Sequence, residues 1–220
     1  MCFEEIQRRL ELRFNSPTLL TEAFTHPSFS NENEDSKHVA YQRLEFLGDA
    51  VLGSVIALEL FERCPHLGEG ELTKLRSHIV QGSSLANIAL RLDLGHYLNL
   101  GKGEDAGGGR HRESNLAAVL EALIGAVFLD QGPDVVKAFI LRLFSEEIVN
   151  AQQNGPPTDP KSKLQELIQA RGGEPPKYSV VRLTGPDHNR TFGVEVLVGN
   201  CVLGSGTGKK KLEAEMEAAS

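Results

Sequence analysis

The clearest pattern of apolar and polar positions runs through residues 42–52, QRLEFLGDAVL. Its apolar residues recur at three- and four-residue intervals, which predicts a helix that buries one face. Glu45 and Asp49 are four residues apart, about 6 Å along the helix axis, so they project from the same side. Two carboxylates in this arrangement repel each other. They either belong to a solvated acidic edge, which is common on helices, or are neutralised by a hard divalent cation bound through carboxylate oxygens.

Residues 113–130, ESNLAAVLEALIGAVFLD, are apolar on almost every face, which predicts a helix buried in a core. Glu121 lies within this run. An unpaired buried carboxylate is energetically expensive, so we expect Glu121 to have a charged partner. A cation shared with Glu45 and Asp49 would provide one, and the two helices are therefore predicted to pack together.

Helical spacing predicts further helices in the first 150 residues. Their predicted bounds are 3–12, about 17–24, about 83–92 and 135–149, and another helix begins at residue 71. The first pattern is predicted to extend over 42–61. Ser16 before Pro17 predicts an N-cap followed by proline at the first helical position. The polar stretch 31–39 and the glycine-rich stretch 101–109 are predicted to be loops, the second of them mobile.

A change of composition divides the chain near residue 150. Residues 151–160, AQQNGPPTDP, are rich in proline, glycine and amides, which predicts a linker between domains 1–150 and 161–220. Helical spacing over 161–170 is followed by three predicted strands and a last helix from about residue 209. The predicted strands are 178–183, 191–198 and 200–204. The predicted fold is thus an all-α domain followed by a small α+β domain of order α-β-β-β-α.

Composition and charge narrow the function classes. Apolar residues make up 40% and charged residues 24%, as in ordinary globular proteins. No apolar run approaches the roughly twenty residues of a membrane span, and the charged N-terminus is unlike a signal peptide, so we expect a cytoplasmic protein without membrane contact. The net charge of -7 argues against nucleic-acid binding through bulk charge and leaves only local basic clusters for that role.

The two helical motifs together resemble a known family. RLEFLGDAVL at 43–52, followed by ES-x-L-A-x-x-x-EALIGAVFLD at 113–130, closely resembles the ribonuclease III signature. The C-terminal part resembles a double-stranded-RNA-binding domain. The resemblance implies a homodimeric endonuclease that cuts double-stranded RNA in rRNA and mRNA processing, assisted by Mg²⁺ or by Mn²⁺ as a substitute.

The resemblance also implies roles for particular carboxylates. Glu45, Asp49 and Glu121 match catalytic and metal-binding positions, and Glu69 falls where the family has a carboxylate near the cleavage site. Ala118 stands where the family has a ligand Asp, and Gln42 replaces an acidic residue often found there. Since alanine has no oxygen to offer, cleavage is predicted to be impaired. The alternatives are a catalytically silent member that binds double-stranded RNA and, more weakly supported, a helical dimer with no RNA partner.

The second domain offers its own set of RNA contacts by resemblance. Such domains read the shape of A-form RNA with a helix, a loop and a lysine cluster. The matching residues are Lys163, Gln165 and Glu166 on the first helix, His188 in the loop, and Lys209 and Lys210 at the start of the last helix. We also expect the glycine-rich stretch 101–109 with its following basic residues to contact RNA. Gly208 in place of Ser, and Leu212, Met216 and Glu217 in place of inward alanines, predict weakened RNA affinity.

His26 lies in the string THPSF, which also resembles the family pattern. Its ordinary pKa near neutrality makes a general base conceivable, but we predict a structural role for it.

Overall fold

The structure, a computed structural model, describes residues 3–32, 39–155, 160–186, 190–199 and 201–220. His188, predicted to contact RNA, lies outside the described residues. The chain separates into two compact units, Met1–Pro156 and Pro157–Ser220. None of the helices in the described ranges combines the length and apolar character that a bilayer crossing needs.

The described part of the first unit is helical. Its helices are α1 (Glu4–Leu10), α2 (Pro17–Ala23), α3 (Pro27–Glu32), α4 (Gln42–Arg63), α5 (Glu69–Ile79), α6 (Gly82–Arg91), α7 (Leu94–Tyr97), α8 (Lys102–Ala106), a 3₁₀ turn (Gly109–His111), α9 (Glu113–Gln131), α10 (Pro133–Leu143) and α11 (Ser145–Asn154). The predicted helix from residue 71 therefore begins at Glu69, and α3 was not predicted.

Helix α9 lies at the centre of the first unit, as its all-round apolar sequence predicts. The other helices pack around it, and α4 makes the most extensive contact with it. Two glycines let these helices approach closely. A Cβ atom at Gly48 would overlap the backbone carbonyl oxygen of Glu121, and one at Gly125 would overlap that of Leu44. The predicted packing of the two motif helices is confirmed.

The N-terminal helices depart from the prediction in the end of α1 and in the group that caps the start of α2. Helix α1 ends at Leu10 because Glu11 adopts a left-handed conformation with φ 53°. Ser16 is the N-cap residue of α2 and Pro17 is its first residue, as predicted, but the Ser16 side chain makes no capping hydrogen bond. Instead, the Asp130 carboxylate accepts hydrogen bonds from the backbone N–H groups of Asn15 and Ser16, both at 2.8 Å. A residue far along the chain has taken the place of the local cap.

The glycine-rich stretch 101–109 was predicted to be a loop that contacts RNA. The predicted loop conformation is wrong. It contains α8 and leads into the 3₁₀ turn. Its carboxylates pair with the basic residues that follow: Asp105 with Arg110 at 2.8 Å, and Glu104 with Arg112. Arg110 also donates to the carbonyl oxygen of Leu98 at 2.9 Å. The positive charge of this segment is therefore used within the fold.

The helix predicted over 135–149 is two helices. Phe144 leaves the helical conformation between α10 and α11, and its side chain is fully buried. Helix α11 then continues to Asn154, into the stretch predicted as a linker. Burial of Phe144 against the core explains the break, which apolar periodicity alone does not reveal.

The second unit has the predicted α-β-β-β-α order. It contains α12 (Pro160–Ala170), β1 (Lys177–Thr184), β2 (Thr191–Val198), β3 (Cys201–Gly208) and α13 (Lys211–Ala218). The strands form one antiparallel sheet of order β1-β2-β3. The predicted fold class is confirmed for both parts of the chain.

Helix α13 lies directly on the backbone of β3. Gly204, Gly206 and Gly208 alternate along β3 and share one face, and a Cβ on any of them would overlap the backbone of α13. Ala214 and Ala218 of α13 are 0% and 5% exposed. The expectation that this helix lacks inward alanines is therefore wrong.

Candidate active site and RNA-binding surface

The close crossing of α4 and α9 brings three of the predicted catalytic carboxylates into electrostatic contact. Burial raises the pKa of Glu121 to about 7, and the negative charges of Asp49 and Glu45 add to the shift. Burial likewise raises the pKa of Glu45, followed by the charge of Asp49. Asp49 itself is exposed, so the group opens to solvent on its side. Three acidic groups on two helices are therefore electrostatically coupled, and in the described part of the chain no basic side chain lowers the pKa of Glu45 or Glu121.

This arrangement suits a cation chemically, although the side chains are not preassembled around one. In the described parts of the chain, no three His, Cys, Asp or Glu side chains converge to hold a metal ion. Mg²⁺ does not need such a cage, because it keeps several waters and binds through one or two carboxylates and substrate phosphates. The raised pKa values show that negative charge at the site is unfavourable as it stands. A bound cation would relieve that penalty.

Ala118 lies one helical turn before Glu121 on α9 and is 8% exposed. Its methyl group is part of the hydrophobic core. No oxygen reaches the carboxylate group from this position.

The structure does not bring Glu69 into this group. Glu69 begins α5, and its carboxylate accepts a hydrogen bond from Thr73 at 3.2 Å. It is not among the charges that shift the pKa of Glu45 or Glu121. It lines a cleft of about 410 Å³ whose other residues are Ala57, Leu60, Phe61, Leu67, Leu72, Thr73 and Arg76.

Sequence reasoning missed a second polar group beside the carboxylates. Tyr41, immediately before α4, is buried, and burial together with the charges of Glu45 and Glu104 raises the pKa of its phenol. Glu104 accepts hydrogen bonds from Asn115 at 2.7 Å and from Arg112, which lower the pKa of its carboxyl. Asn115 could have indicated this polar group in the sequence, because it is a polar residue in a helix that is otherwise apolar.

A large aromatic side chain on α4 is left outside the core. Phe46 follows Glu45 and is 80% exposed. It borders a surface cavity of about 760 Å³, whose other lining residues are Leu19, Glu22, Gln42, Arg43, Leu44, Leu47 and Leu129. Leu129 is also more than half exposed. The lining is thus largely apolar although it faces solvent.

The predicted RNA-contacting residues of the second unit lie on α12 and at the start of α13. Lys163, Gln165 and Glu166 are exposed on α12. Lys210 is the N-cap residue of α13, and the Glu213 carboxylate accepts the backbone N–H groups of Lys209 at 3.0 Å and Lys210 at 3.2 Å. The local acid therefore holds the backbone of the lysine cluster in place.

The two units differ sharply in charge. Residues 1–156 contain 14 Lys and Arg against 22 Asp and Glu, whereas residues 157–220 contain nine against eight. The acidic balance of the whole chain therefore belongs to the first unit. The second unit has no excess of negative charge to oppose binding of a polyanion.

Comparison with known proteins identifies both units. Residues 16–148 match the family described as Ribonuclease-III-like, and residues 160–220 match the double-stranded RNA binding motif. The chain is 50% identical to Ribonuclease 3 of Natranaerobius thermophilus over 91% of this chain and 86% of that protein. It is 43% identical to Ribonuclease 3 of Dehalococcoides mccartyi over 98% of this chain and 91% of that protein.

A solved structure is similar to the first part of the chain. It is a nuclease domain of ribonuclease III from Campylobacter jejuni, described for structural flexibility in a region involved in dimer formation. The identity is 38%, the TM-score is 0.62, and the match covers 66% of this chain and 98% of that one.

Proposed function

The chain belongs to the ribonuclease III family of endoribonucleases, and we propose that it hydrolyses double-stranded RNA with Mg²⁺ held by Glu45, Asp49 and Glu121. The observation that carries the proposal is the mutual electrostatic effect of these carboxylates where α4 crosses α9. Mn²⁺ would be accepted as a substitute, because both ions prefer oxygen ligands. The proposed substrates are rRNA and mRNA precursors, which would place the protein in the cytoplasm.

The ion, when bound, would activate a water molecule and stabilise charge on the phosphoryl and leaving oxygens. The protein supplies orientation and proton control. The pKa of about 7 for Glu121 applies to the site without an ion, so Glu121 would release a proton near neutral pH as the ion binds. Asp49 offers an exposed carboxylate toward the incoming substrate, whereas Glu45 is partly buried and fixed on α4. Both helices are held at a fixed spacing by the two glycine contacts.

In the proposed mechanism, Ala118 weakens the binding and positioning of the metal ion. With three carboxylates instead of four, the ion has fewer protein oxygens to define its place. Small misplacements of reacting groups lower rates about a hundredfold. We therefore propose an enzyme that binds duplex RNA through its second domain and cuts it slowly.

The same feature favours a second candidate function, namely a family member that binds double-stranded RNA without cutting it. The two are separated by incubating a labelled RNA duplex with the protein and Mg²⁺ and comparing the Ala118→Asp variant. Binding is measured in parallel with Ca²⁺ in place of Mg²⁺. Ala138→Asp, the same change at an exposed position of α10, controls for added charge.

We expect slow cleavage by the unmodified chain, a rate about a hundredfold higher for Ala118→Asp, and no gain for Ala138→Asp. Absence of cleavage by all three proteins, with binding retained, would favour the silent RNA-binding member. Cleavage by the unmodified chain at the rate of Ala118→Asp would refute impairment by Ala118.

The proposal includes a homodimer formed through the surface around Phe46. A largely exposed aromatic side chain beside an apolar cavity is typical of an interface rather than of free surface. The C. jejuni neighbour, described by its region of dimer formation, supports a dimer but does not identify its surface.

Sedimentation equilibrium of Phe46→Ser tests this interface. We expect its dimer dissociation constant to rise at least about thirtyfold, as for a central aromatic contact. Leu90→Ser changes an exposed apolar residue of α6 that borders neither described cavity and should leave the dimer intact. The proposed interface would be wrong if both variants had the same dimer dissociation constant, or if the unmodified chain were a monomer.

A further inference from the structure

Three consecutive lysines, Lys209, Lys210 and Lys211, stand at the beginning of α13. All three are exposed, and Lys210 is the N-cap residue of the helix. The N-terminus of a helix carries partial positive charge, so cations are unfavourable there. A lysine side chain at the N-cap also has no acceptor for the first N–H groups of the helix, whereas serine or aspartate would have one. The start of this helix therefore depends on another side chain for its stability.

Glu213, in the first turn of α13, supplies that stabilisation. Its Oε2 atom accepts the backbone N–H groups of Lys209 at 3.0 Å and of Lys210 at 3.2 Å. Glu213 is the third residue of α13, so these bonds form the half of a capping box in which a helical side chain reaches back to the backbone before the helix. The carboxylate also brings negative charge to the positive end of the helix, which is favourable.

The connection between β3 and α13 is also held on the strand side. Gly208 ends β3, and a Cβ there would lie 2.6 Å from the backbone nitrogen of Ala214 and 2.7 Å from Cβ of Glu213. The N–H of Thr207 donates to Oε2 of Glu217 at 2.6 Å, and the Thr207 hydroxyl donates to the same oxygen at 3.3 Å. Two acidic residues of α13 thus bond to the backbone on either side of Gly208.

The Lys209 side chain extends toward the sheet. Its Nζ donates to the Thr191 hydroxyl oxygen at 3.3 Å, at the beginning of β2. Gly208 pairs with Phe192 across the sheet, so the Lys209 ammonium group lies at the end of the sheet where β2 begins and β3 ends. Lysine side chains have many rotamers, and ordering them on binding costs free energy. A backbone that is already fixed beneath the lysines reduces this cost.

We propose that Glu213 is a positioning residue for the binding of duplex RNA. Its carboxylate fixes the backbone of Lys209 and Lys210, so that the two side chains meet phosphates at a set spacing. This inference rests on the proposed RNA-binding role of these lysines. Removal of Glu213 should therefore weaken RNA binding, although loss of a negative charge beside the lysines would by itself strengthen their attraction for a polyanion.

Two substitutions of Glu213 separate hydrogen bonding from charge. Glu213→Gln removes the charge but retains a side-chain oxygen for the two N–H groups, since glutamine also serves in capping boxes. Glu213→Ala removes both the charge and the acceptor. Glu174→Ala is the matched control, because it removes an exposed carboxylate just before β1, at the end of the sheet opposite the lysines.

The experiment measures binding of a labelled RNA duplex to the full chain in Ca²⁺, and amide hydrogen exchange of Lys209 and Lys210 by NMR without RNA. We expect Glu213→Ala to weaken RNA binding about three- to tenfold and to speed exchange at both amides, because the lysine backbone is no longer fixed. Glu213→Gln should bind RNA at least as tightly as the unmodified chain and keep slow exchange. Glu174→Ala should change neither quantity.

The proposal is wrong if Glu213→Ala binds RNA as tightly as the unmodified chain or more tightly, or if Glu213→Ala and Glu213→Gln weaken binding equally. Thermal unfolding identifies a variant that loses the fold of the second unit. In that case Glu213→Asp provides the test, because it keeps the charge on a shorter side chain that does not reach both N–H groups. It should bind RNA about three- to tenfold more weakly, and unchanged binding would overturn the proposal.

Lys210→Ala distinguishes failure of this inference from failure of the proposed RNA contact. Weaker binding by Lys210→Ala, with unchanged binding by Glu213→Ala, would refute the role of Glu213 alone. Unchanged binding by both variants would show that the lysine cluster does not contact RNA, and would refute the two proposals together.

Discussion

The α4–α9 crossing in the first unit and the β3–α13 contact in the second both depend on glycines, but the first lies beside acidic side chains and the second beside basic ones. In both, glycines let two backbones touch. The first contact gathers carboxylates whose pKa values rise because burial and like charges disfavour ionisation. The second lies beside lysines that have acidic neighbours: Lys211 of α13 lies 3.8 Å from Glu215, which also pairs with Lys161 of α12 at 2.5 Å.

The two sites differ in charge balance. The carboxylates of the first unit need a bound cation to offset their charge, whereas the charges around the lysines of the second unit nearly cancel. Among the described residues, no basic side chain lowers the pKa of Glu45 or Glu121, so a bound ion would stabilise these carboxylates. The lysine cluster already has acidic neighbours. When a phosphate replaces them, binding gains only the difference between the lysine–phosphate and lysine–carboxylate interaction energies. Removing single charges should therefore have larger effects in the first unit than in the second.

The largest expected effect comes from Gly48→Ala. The added Cβ would overlap the Glu121 carbonyl and force α4 away from α9, so we expect a loss of about 2 kcal/mol in unfolding free energy and of Mn²⁺ binding. Gly53→Ala is the matched control, since no atom lies within 4 Å of its Cβ. It should gain about 0.5–1 kcal/mol from helix propensity. Urea unfolding measures both, and equal stability of the two variants would show that close approach at Gly48 is dispensable.

A smaller effect is expected from Glu121→Gln and depends on pH. The folded-state pKa of about 7 lies above the ordinary value of 4.5, so the native state binds a proton more tightly than the unfolded state. Stability from this proton is complete below pH 4.5 and is lost as pH rises to about 7. Without divalent ions, Glu121→Gln should therefore be more stable than the unmodified chain by about 1–2 kcal/mol at pH 8, allowing for solvent screening, and equal to it near pH 4.

Urea unfolding between pH 4 and 8 measures this difference. Glu113→Gln, an exposed change on the same helix, should show no such trend. A constant difference between Glu121→Gln and the unmodified chain across the pH range would contradict the raised pKa.

The smallest effect is expected from Lys210→Ala. Loss of one phosphate contact should weaken duplex binding about three- to tenfold and reduce the slope of log K against log salt by about 1. Lys177→Ala removes an exposed lysine from β1 and should change neither quantity. Filter binding at several salt concentrations distinguishes them, and an identical response would assign the effect to net charge alone.

Local patterns predicted much of this molecule. Apolar spacing gave α4 and α9 nearly to the residue, and glycine and proline punctuation separated most neighbouring helices. The errors share a cause, because each depends on contacts that helical or strand spacing does not reveal. Asp130 caps the segment before α2, Phe144 breaks a helix to enter the core, and Arg110 and Arg112 are neutralised by acids that the glycine-rich stretch folds back.

The site shows the same division. The charges of Glu45, Asp49 and Glu121, the missing oxygen at Ala118 and the order of helices and strands are properties of the sequence, because helical and strand periodicities are local. Only the tertiary structure decided that Glu121 is half-buried near Glu45 and Asp49, and that Glu69 lies in another cleft. Burial and charge coupling depend on which helices meet, and that is set by packing of the whole core rather than by neighbours along the chain.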